Sequence, residues 1–176
     1  MSTPETRDRP NILITGSPGT GKSTLAAAVA ERLGFEHIEC SREIREHNLY
    51  SEFDERLQTH VFDEDRLLDH LEERMDSDVG GYVVEFHGCE FFPKRWFDLV
   101  FVLRCDNTLL YDRLAGRGYS QEKIRENVEC EIFGTIIEEA REAYDEEDVH
   151  ELKSETVDDM NQNVEQIVEL VSQRTR

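Results

Sequence analysis

Lysine is nearly missing from this chain. Only Lys22, Lys94, Lys123 and Lys153 occur, and Lys plus Arg total 20 against 40 Asp plus Glu, a formal net charge of −20 over 176 residues. That balance argues against a general basic surface for nucleic acid, since phosphate backbones are held by clustered cations. Two readings of the acid excess stay open. One is a salt-rich cytoplasm of the halophilic archaeal kind, where the Debye length shrinks to about 3 Å at 1 M and self-repulsion is screened. The other is an acidic docking face for a basic partner.

Long apolar runs are lacking too. The longest, 25–30 and 99–103, fall far short of the ~20 residues a membrane helix needs. Residues 1–10 are polar and have no apolar stretch of signal-peptide type, which predicts a cytoplasmic protein with a frayed start. Cys40, Cys89, Cys105 and Cys130 form no C-x-x-C pair, so no zinc site is expected and the thiols are expected to be free and mostly buried. Repeats, linkers and low-complexity tracts are absent, and the length suits one domain spanning residues 1–176.

What the chain does have is Gly16-Ser17-Pro18-Gly19-Thr20-Gly21-Lys22-Ser23, a match to G-x-x-x-x-G-K-[ST] at every fixed position. An apolar run of strand type, Asn11 to Thr15, precedes it, and an Ala-rich helical pattern, Lys22 to Leu33, follows. Glycines let backbone N–H groups turn around phosphate oxygens, and the helix adds unpaired N–H groups and its positive dipole end. Gly16, Gly19, Thr20 and Gly21 are therefore candidate ATP contacts. Lys22 would reach the β- and γ-phosphates, and Ser23 would ligate Mg²⁺.

Apolar runs at 82–86 and 98–103, with further strand candidates at 35–40 and 149–152, alternate with helical patterns at 62–75, 108–115, 120–144 and 157–171, with Ser41 as a plausible helix cap. Strands alternating with helices predict an α/β three-layer fold around a parallel sheet, with ligands at the carboxyl ends of the strands. Glu85 ends an apolar strand there, in the manner of a carboxylate that holds Mg²⁺. His87 lies two residues on, which places it on the same side if the strand continues. Arg113 and Arg117 are i, i+4 on one helix, and Arg117-Gly118 marks a flap able to bring an arginine over ATP. Arg42, Arg45 and Arg95 are candidates for gripping a second phosphate. For each arginine taken alone, a surface ion pair is the competing reading.

Taken together, the phosphate loop, Asp63 to Leu71, His87-Gly88-Cys89-Glu90-Phe91-Phe92-Pro93-Lys94-Arg95-Trp96-Phe97, Arg117-Gly118-Tyr119 and Glu129 to Phe133 resemble the adenylate kinase isoenzyme 6 family. The resemblance runs from about Pro10 to Val171. It implies a nucleoside monophosphate (NMP) kinase with a P-loop core, an NMP-binding segment near 39–62 and a short lid near 116–126. It implies ATP contacts at Gly19, Gly21, Lys22, Ser23, Thr24 and Arg117. It also implies a role in small-ribosomal-subunit maturation through transient binding of ribosomal protein uS11. Two departures from the family pattern stand out: Glu85 where the family usually has Asp, and Ser41-Arg42 where Gly-Asp is expected. Two activities are thus in view, transfer from ATP to an NMP, and an ATPase cycle that gates a basic partner with His87 and Glu85 orienting water. A small P-loop kinase acting on a metabolite hydroxyl is the third reading.

Overall fold

The computed structural model describes residues 7–55 and 59–174. Strands β1 (Ile12–Gly16), β2 (Glu36–Glu39), β5 (Tyr82–Phe86), β6 (Leu99–Arg104) and β7 (Val149–Lys153) form one parallel sheet in the order β2-β5-β1-β6-β7. Strands β3 (Tyr50–Asp54) and β4 (Thr59–Phe62) pair antiparallel as a separate ribbon. The helices are α1 (Lys22–Leu33), α2 (Cys40–His47), α3 (Glu64–Met75), α4 (Asn107–Gly116), α5 (Gln121–Phe133), α6 (Thr135–Ala143) and α7 (Val157–Arg174).

While the edge strands β2 and β7 are only partly buried, the central strands β1, β5 and β6 are buried on both faces, which is why they read as almost unbroken apolar runs. Alternation splits them between two cores. Leu13, Val84, Val100 and Val102 meet Ile44 of α2, Leu67 and Leu71 of α3, and Ile137 of α6. Ile12, Ile14, Val83, Phe101 and Leu103 meet Leu25 and Val29 of α1 and Val164, Ile167 and Val171 of α7. Each of these side chains contributes roughly 1.5–3 kcal/mol of burial. A third, smaller core of Cys105, Leu110, Leu114 and Ile124 joins α4 to α5.

The α/β three-layer fold expected from the sequence is present, with three differences of detail in the elements named there. The helical pattern over 120–144 is two helices, because Gly134 turns left-handed at φ 65° between α5 and α6. The helix after β2 begins at Cys40, so Ser41 lies inside it rather than capping it. Phe62 closes β4, and α3 starts two residues later behind the Asp63 side chain, which accepts from the Arg66 amide. Three thiols are buried as expected, and Cys130 is exposed.

Candidate active site

Strand β1 carries the chain straight into the phosphate loop at the carboxyl edge of the sheet. Gly16 sits at φ 152°, and a Cβ there would lie 2.9 Å from both the Leu103 carbonyl oxygen and Thr20 Oγ1, so only glycine fits. Thr20 Oγ1 donates to the Ser17 carbonyl at 2.6 Å and closes the loop. Gly21, at φ 89°, starts α1 without a side-chain cap. The first N–H groups of α1 are therefore left for an anion.

Lys22 turns its ammonium inward and donates to the Ser17 carbonyl at 3.1 Å. Burial lowers its pKa to about 8; Glu85 opposes that shift and Arg117 adds to it. An incoming phosphate would take over the Ser17 bond and restore the full charge.

Glu85 is buried at 4 % exposure near the end of β5. Its Oε1 accepts from Ser23 Oγ at 2.6 Å, and its Oε2 lies 2.7 Å from His37 Nε2. A hydroxyl and a carboxylate already in contact are the hard oxygen donors that suit Mg²⁺. The longer glutamate reaches Ser23 directly. Pairing β2 with β5 sets His37 opposite Val83 and Glu39 opposite Glu85, so His37 shares the face of Glu85. The sequence reading missed His37, since nothing local to 35–40 reveals that neighbour.

Arg113, which shares a helix face with Arg117 and is with it a candidate catalytic arginine, takes a different task in the fold. Its Nη1 donates to the carbonyls of Gly19 at 3.1 Å and Ser154 at 3.2 Å, and its Nη2 to that of Glu155 at 2.8 Å. The guanidinium is spent on bracing the phosphate loop against the turn after β7. Ser154 Oγ adds a 2.6 Å bond to the Thr20 carbonyl. Arg117, one turn on, is exposed and its side chain makes no hydrogen bond or ion pair with the described residues. It lines a cleft of about 420 Å³ together with Gly19, Thr20, Gly21, Thr24, the turn Ser154 to Thr156, and Val157 and Met160 of α7.

A second missed residue is Glu131. It is 5 % exposed, takes Arg104 Nε at 2.5 Å and accepts from Ser17 Oγ at 2.9 Å. That chain ties the end of α5 to the second residue of the phosphate loop.

Strand β5 ends at Phe86, so His87 does not continue on the side of Glu85. It faces a separate cavity of about 260 Å³, lined by Ser17, Pro18, Phe62, Phe91, Asn127 and Glu139 among others. Phe86 stands 4.1 Å from its ring and Phe62 6.4 Å, centroid to centroid. Crowding by these neighbours, then the Lys22 charge, lower the His87 pKa to about 4. Its face toward the cavity is open to water, which softens the effect of burial, and the direction is a neutral imidazole near pH 7.

The remaining arginines divide. Arg45 on α2 is exposed and has no ion pair. Arg42 is held by Glu39 at 3.3 Å. Arg95 forks onto the Asp76 carboxylate at 3.2 and 3.3 Å. It lies beside Trp96, whose carbonyl binds the Asn11 side chain just before β1, at the amino end of the strands. Arg95 is thus placed away from the carboxyl rim and is not brought to the site, because Asp76 at the end of α3 claims it.

Loop, brace and cleft define a P-loop phosphotransferase of the kinase type. Shikimate kinase from Acinetobacter baumannii superposes with a TM-score of 0.69 over 97 % of this chain and 96 % of that one, at 18 % identity. A gluconokinase from Sinorhizobium meliloti gives 0.58 over 97 % and 99 %, at 16 % identity; these likenesses show the fold. A family profile described as an AAA domain matches residues 12–134. The chain is 64 % identical to an adenylate kinase isoenzyme 6 homolog from Caenorhabditis elegans, over 98 % of this chain and 95 % of the relative. It is 50 % identical to the homolog from Drosophila melanogaster, over 95 % and 94 %, and 41 % to that from Saccharomyces cerevisiae, over 90 % and 80 %. It belongs to the adenylate kinase isoenzyme 6 family. These relatives are eukaryotic and lend no support to a halophilic archaeal source for the acid excess.

Proposed function

We propose that this protein transfers the terminal phosphate of ATP to an NMP, with AMP the acceptor named by the family. One observation carries the reading: a single loop lines two cavities. Gly19 to Gly21 face the larger cleft and Ser17 and Pro18 face the smaller one. A donor nucleotide on one side and an acceptor on the other would meet at the loop, which is the arrangement an in-line transfer needs.

Ser23 and Glu85 would hold Mg²⁺, which supplies charge neutralisation at the phosphates when bound. Gly16, Gly19, Thr20, Gly21 and Thr24 would cradle and flank the phosphates. Lys22 would offset the γ-phosphate charge, and Arg117 would swing in from the 116–126 lid. Arg113 would hold Gly19 in place. Segment 39–62, with Arg45, would receive the monophosphate. His87, neutral and weakly basic, would orient an acceptor oxygen or water by hydrogen bonding rather than by removing a proton.

Water in the acceptor position would turn the same site into an ATPase. A chain of −20 formal charge suits a basic partner, which supports a second role, in the cytoplasm, in small-subunit maturation through transient binding of uS11. ADP formation is measured from Mg-ATP alone, with each NMP, and with purified uS11. Stimulation by an NMP supports the kinase reading, and stimulation by uS11 alone supports the assembly ATPase. Lys22→Ala should lower turnover at least ~10²-fold in every arm, as loss of a preorganised transition-state donor does; wild-type turnover in that variant would refute the nucleotide site.

A further inference from the structure

Helices α2 and α3 bring two histidines and one carboxylate together outside the nucleotide site. Glu43 and His47 are i, i+4 on α2 and so share a face. His70 enters from α3. Its Nε2 lies 2.7 Å from Glu43 Oε2, and His47 Nε2 lies 3.5 Å from the same oxygen. The two imidazole centroids are 4.3 Å apart. We infer that Glu43, His47 and His70 form a binding site for a late first-row divalent cation, with zinc the best fit.

The distances support this directly. Zinc bonds to nitrogen and carboxylate oxygen of about 2.0–2.1 Å set tetrahedral donors roughly 3.3 Å apart. The observed 2.7 and 3.5 Å bracket that spacing, so small rotamer shifts would suffice. The carboxylate divides its labour. Oε1 faces Arg74 Nη1 at 3.4 Å, and Oε2 faces both rings. Arg74 can therefore keep its contact and hold the carboxylate orientation while Oε2 ligates. Burial opposes ionisation of Glu43, but the bonds from His70 and Arg74 outweigh it and hold the carboxyl below its usual range. A ligating imidazole presents its Nε2 lone pair to the ion and carries its proton on Nδ1. The His47 side chain is 50 % exposed, which leaves a fourth position open to water.

Two other groupings of potential ligands occur among the described residues. Cys89, Glu90 and Glu139 include a buried thiol whose pKa is pushed up to about 12. Asp145, Glu147 and Asp148 offer carboxylates alone. Neither carries imidazole, the ligand that selects zinc, nickel or copper over magnesium. The cysteine spacing gave no hint of the Glu43 site, whose two histidines are 23 residues apart in sequence. A bound ion would cross-link α2 to α3 and fix the helix that carries Arg45.

The test is equilibrium dialysis of the full, nucleotide-free chain against Zn²⁺ in millimolar Mg²⁺, with Co²⁺ as a spectroscopic probe. Expected are one Zn²⁺ per chain at micromolar affinity, tetrahedral Co²⁺ bands and a metal-dependent rise in Tm. His47→Gln, at a half-exposed position where folding is not threatened, and His70→Gln should each weaken binding at least about tenfold. Glu90→Gln should leave it unchanged. Circular dichroism of the metal-free variants confirms that each is folded. Absence of saturable binding below about 100 μM, or equal affinity in the folded His47→Gln variant, overturns the site.

Discussion

Replacing Arg113 distinguishes a brace from a catalytic group. The wild-type side chain donates to three backbone carbonyls, of Gly19, Ser154 and Glu155, at 2.8–3.2 Å. Each such bond is worth about 1 kcal/mol net, a little more for a charged donor, so Arg113→Ala should cost about 3 kcal/mol in stability. For a chain of this length that is a fall in Tm of roughly 6–12 °C. The carbonyls would turn to water, and the loop around Gly19 would loosen. The KM for ATP should rise, while kcat at saturating ATP should change by less than about threefold, because the guanidinium supplies uniform binding geometry and no transition-state charge. Arg113→Lys should rescue little, since one ammonium cannot reproduce a planar fork that spans the loop and the turn after β7. Thermal melts, ATP titration calorimetry and initial rates on the same preparations settle the matter. A loss of 10²-fold or more in kcat, with Tm and ATP affinity unchanged, would refute the brace and return Arg113 to the reacting phosphates.

Arg117→Ala should show the opposite pattern, with kcat falling at least ~10²-fold and ATP affinity altered only a few-fold, since an unpaired lid arginine acts on transition-state charge. If only KM for ATP moves, Arg117 is a ground-state contact. His87 has a folded pKa lowered from its ordinary value by burial and the Lys22 charge, so its titration should contribute no step to the rate profile near pH 6.5. A step near pH 6.5 that vanishes in His87→Gln would contradict this. Tm should climb between low salt and about 1 M potassium chloride as the Debye length falls from tens of ångströms to about 3 Å and the −20 charge is screened. A flat or falling Tm would mean that ion pairs outweigh self-repulsion.

The parts legible in the sequence are those written in neighbouring residues. The phosphate loop is one, since its glycine conformations and the placement of Lys22 and Ser23 at the start of α1 are set by consecutive residues. The parallel sheet is another, since doubly buried strands leave continuous apolar runs. Partnerships made by folding were not legible. That Arg113 and Arg117 share a helix was readable; that one turns to carbonyls while the other stays unpaired depends on where the turn after β7 arrives. His37 needed the β2–β5 register, and Glu131 needed α5 laid back over Ser17. Arg95 was misplaced because its local motif says nothing about which end of the sheet it occupies. The β3–β4 ribbon escaped notice because its strands, of 5 and 4 residues, show no sustained alternation.

Charge pairing closes the argument about the site. The chain is strongly acidic, so a free arginine has carboxylates to choose from almost anywhere on its surface. Arg7, Arg32, Arg42, Arg66, Arg74, Arg95, Arg104, Arg141 and Arg174 all take one. Arg9, Arg45, Arg113, Arg117 and Arg125 take none among the described residues; Arg113 turns to carbonyls, Arg9 lies over the Phe35 ring, and Lys22 points at a carbonyl. Arg117 and Lys22 belong to the carboxyl rim, and Arg45 to the helix that leaves it after β2. Surface ion pairs are worth little each, so an unpaired arginine costs the fold almost nothing. What it preserves is an uncommitted positive charge where the fold presents phosphate-binding backbone. On an acidic body, Lys22 and Arg117 left without carboxylate partners at that rim favour an anionic ligand there over the carboxylate-rich remainder of the surface.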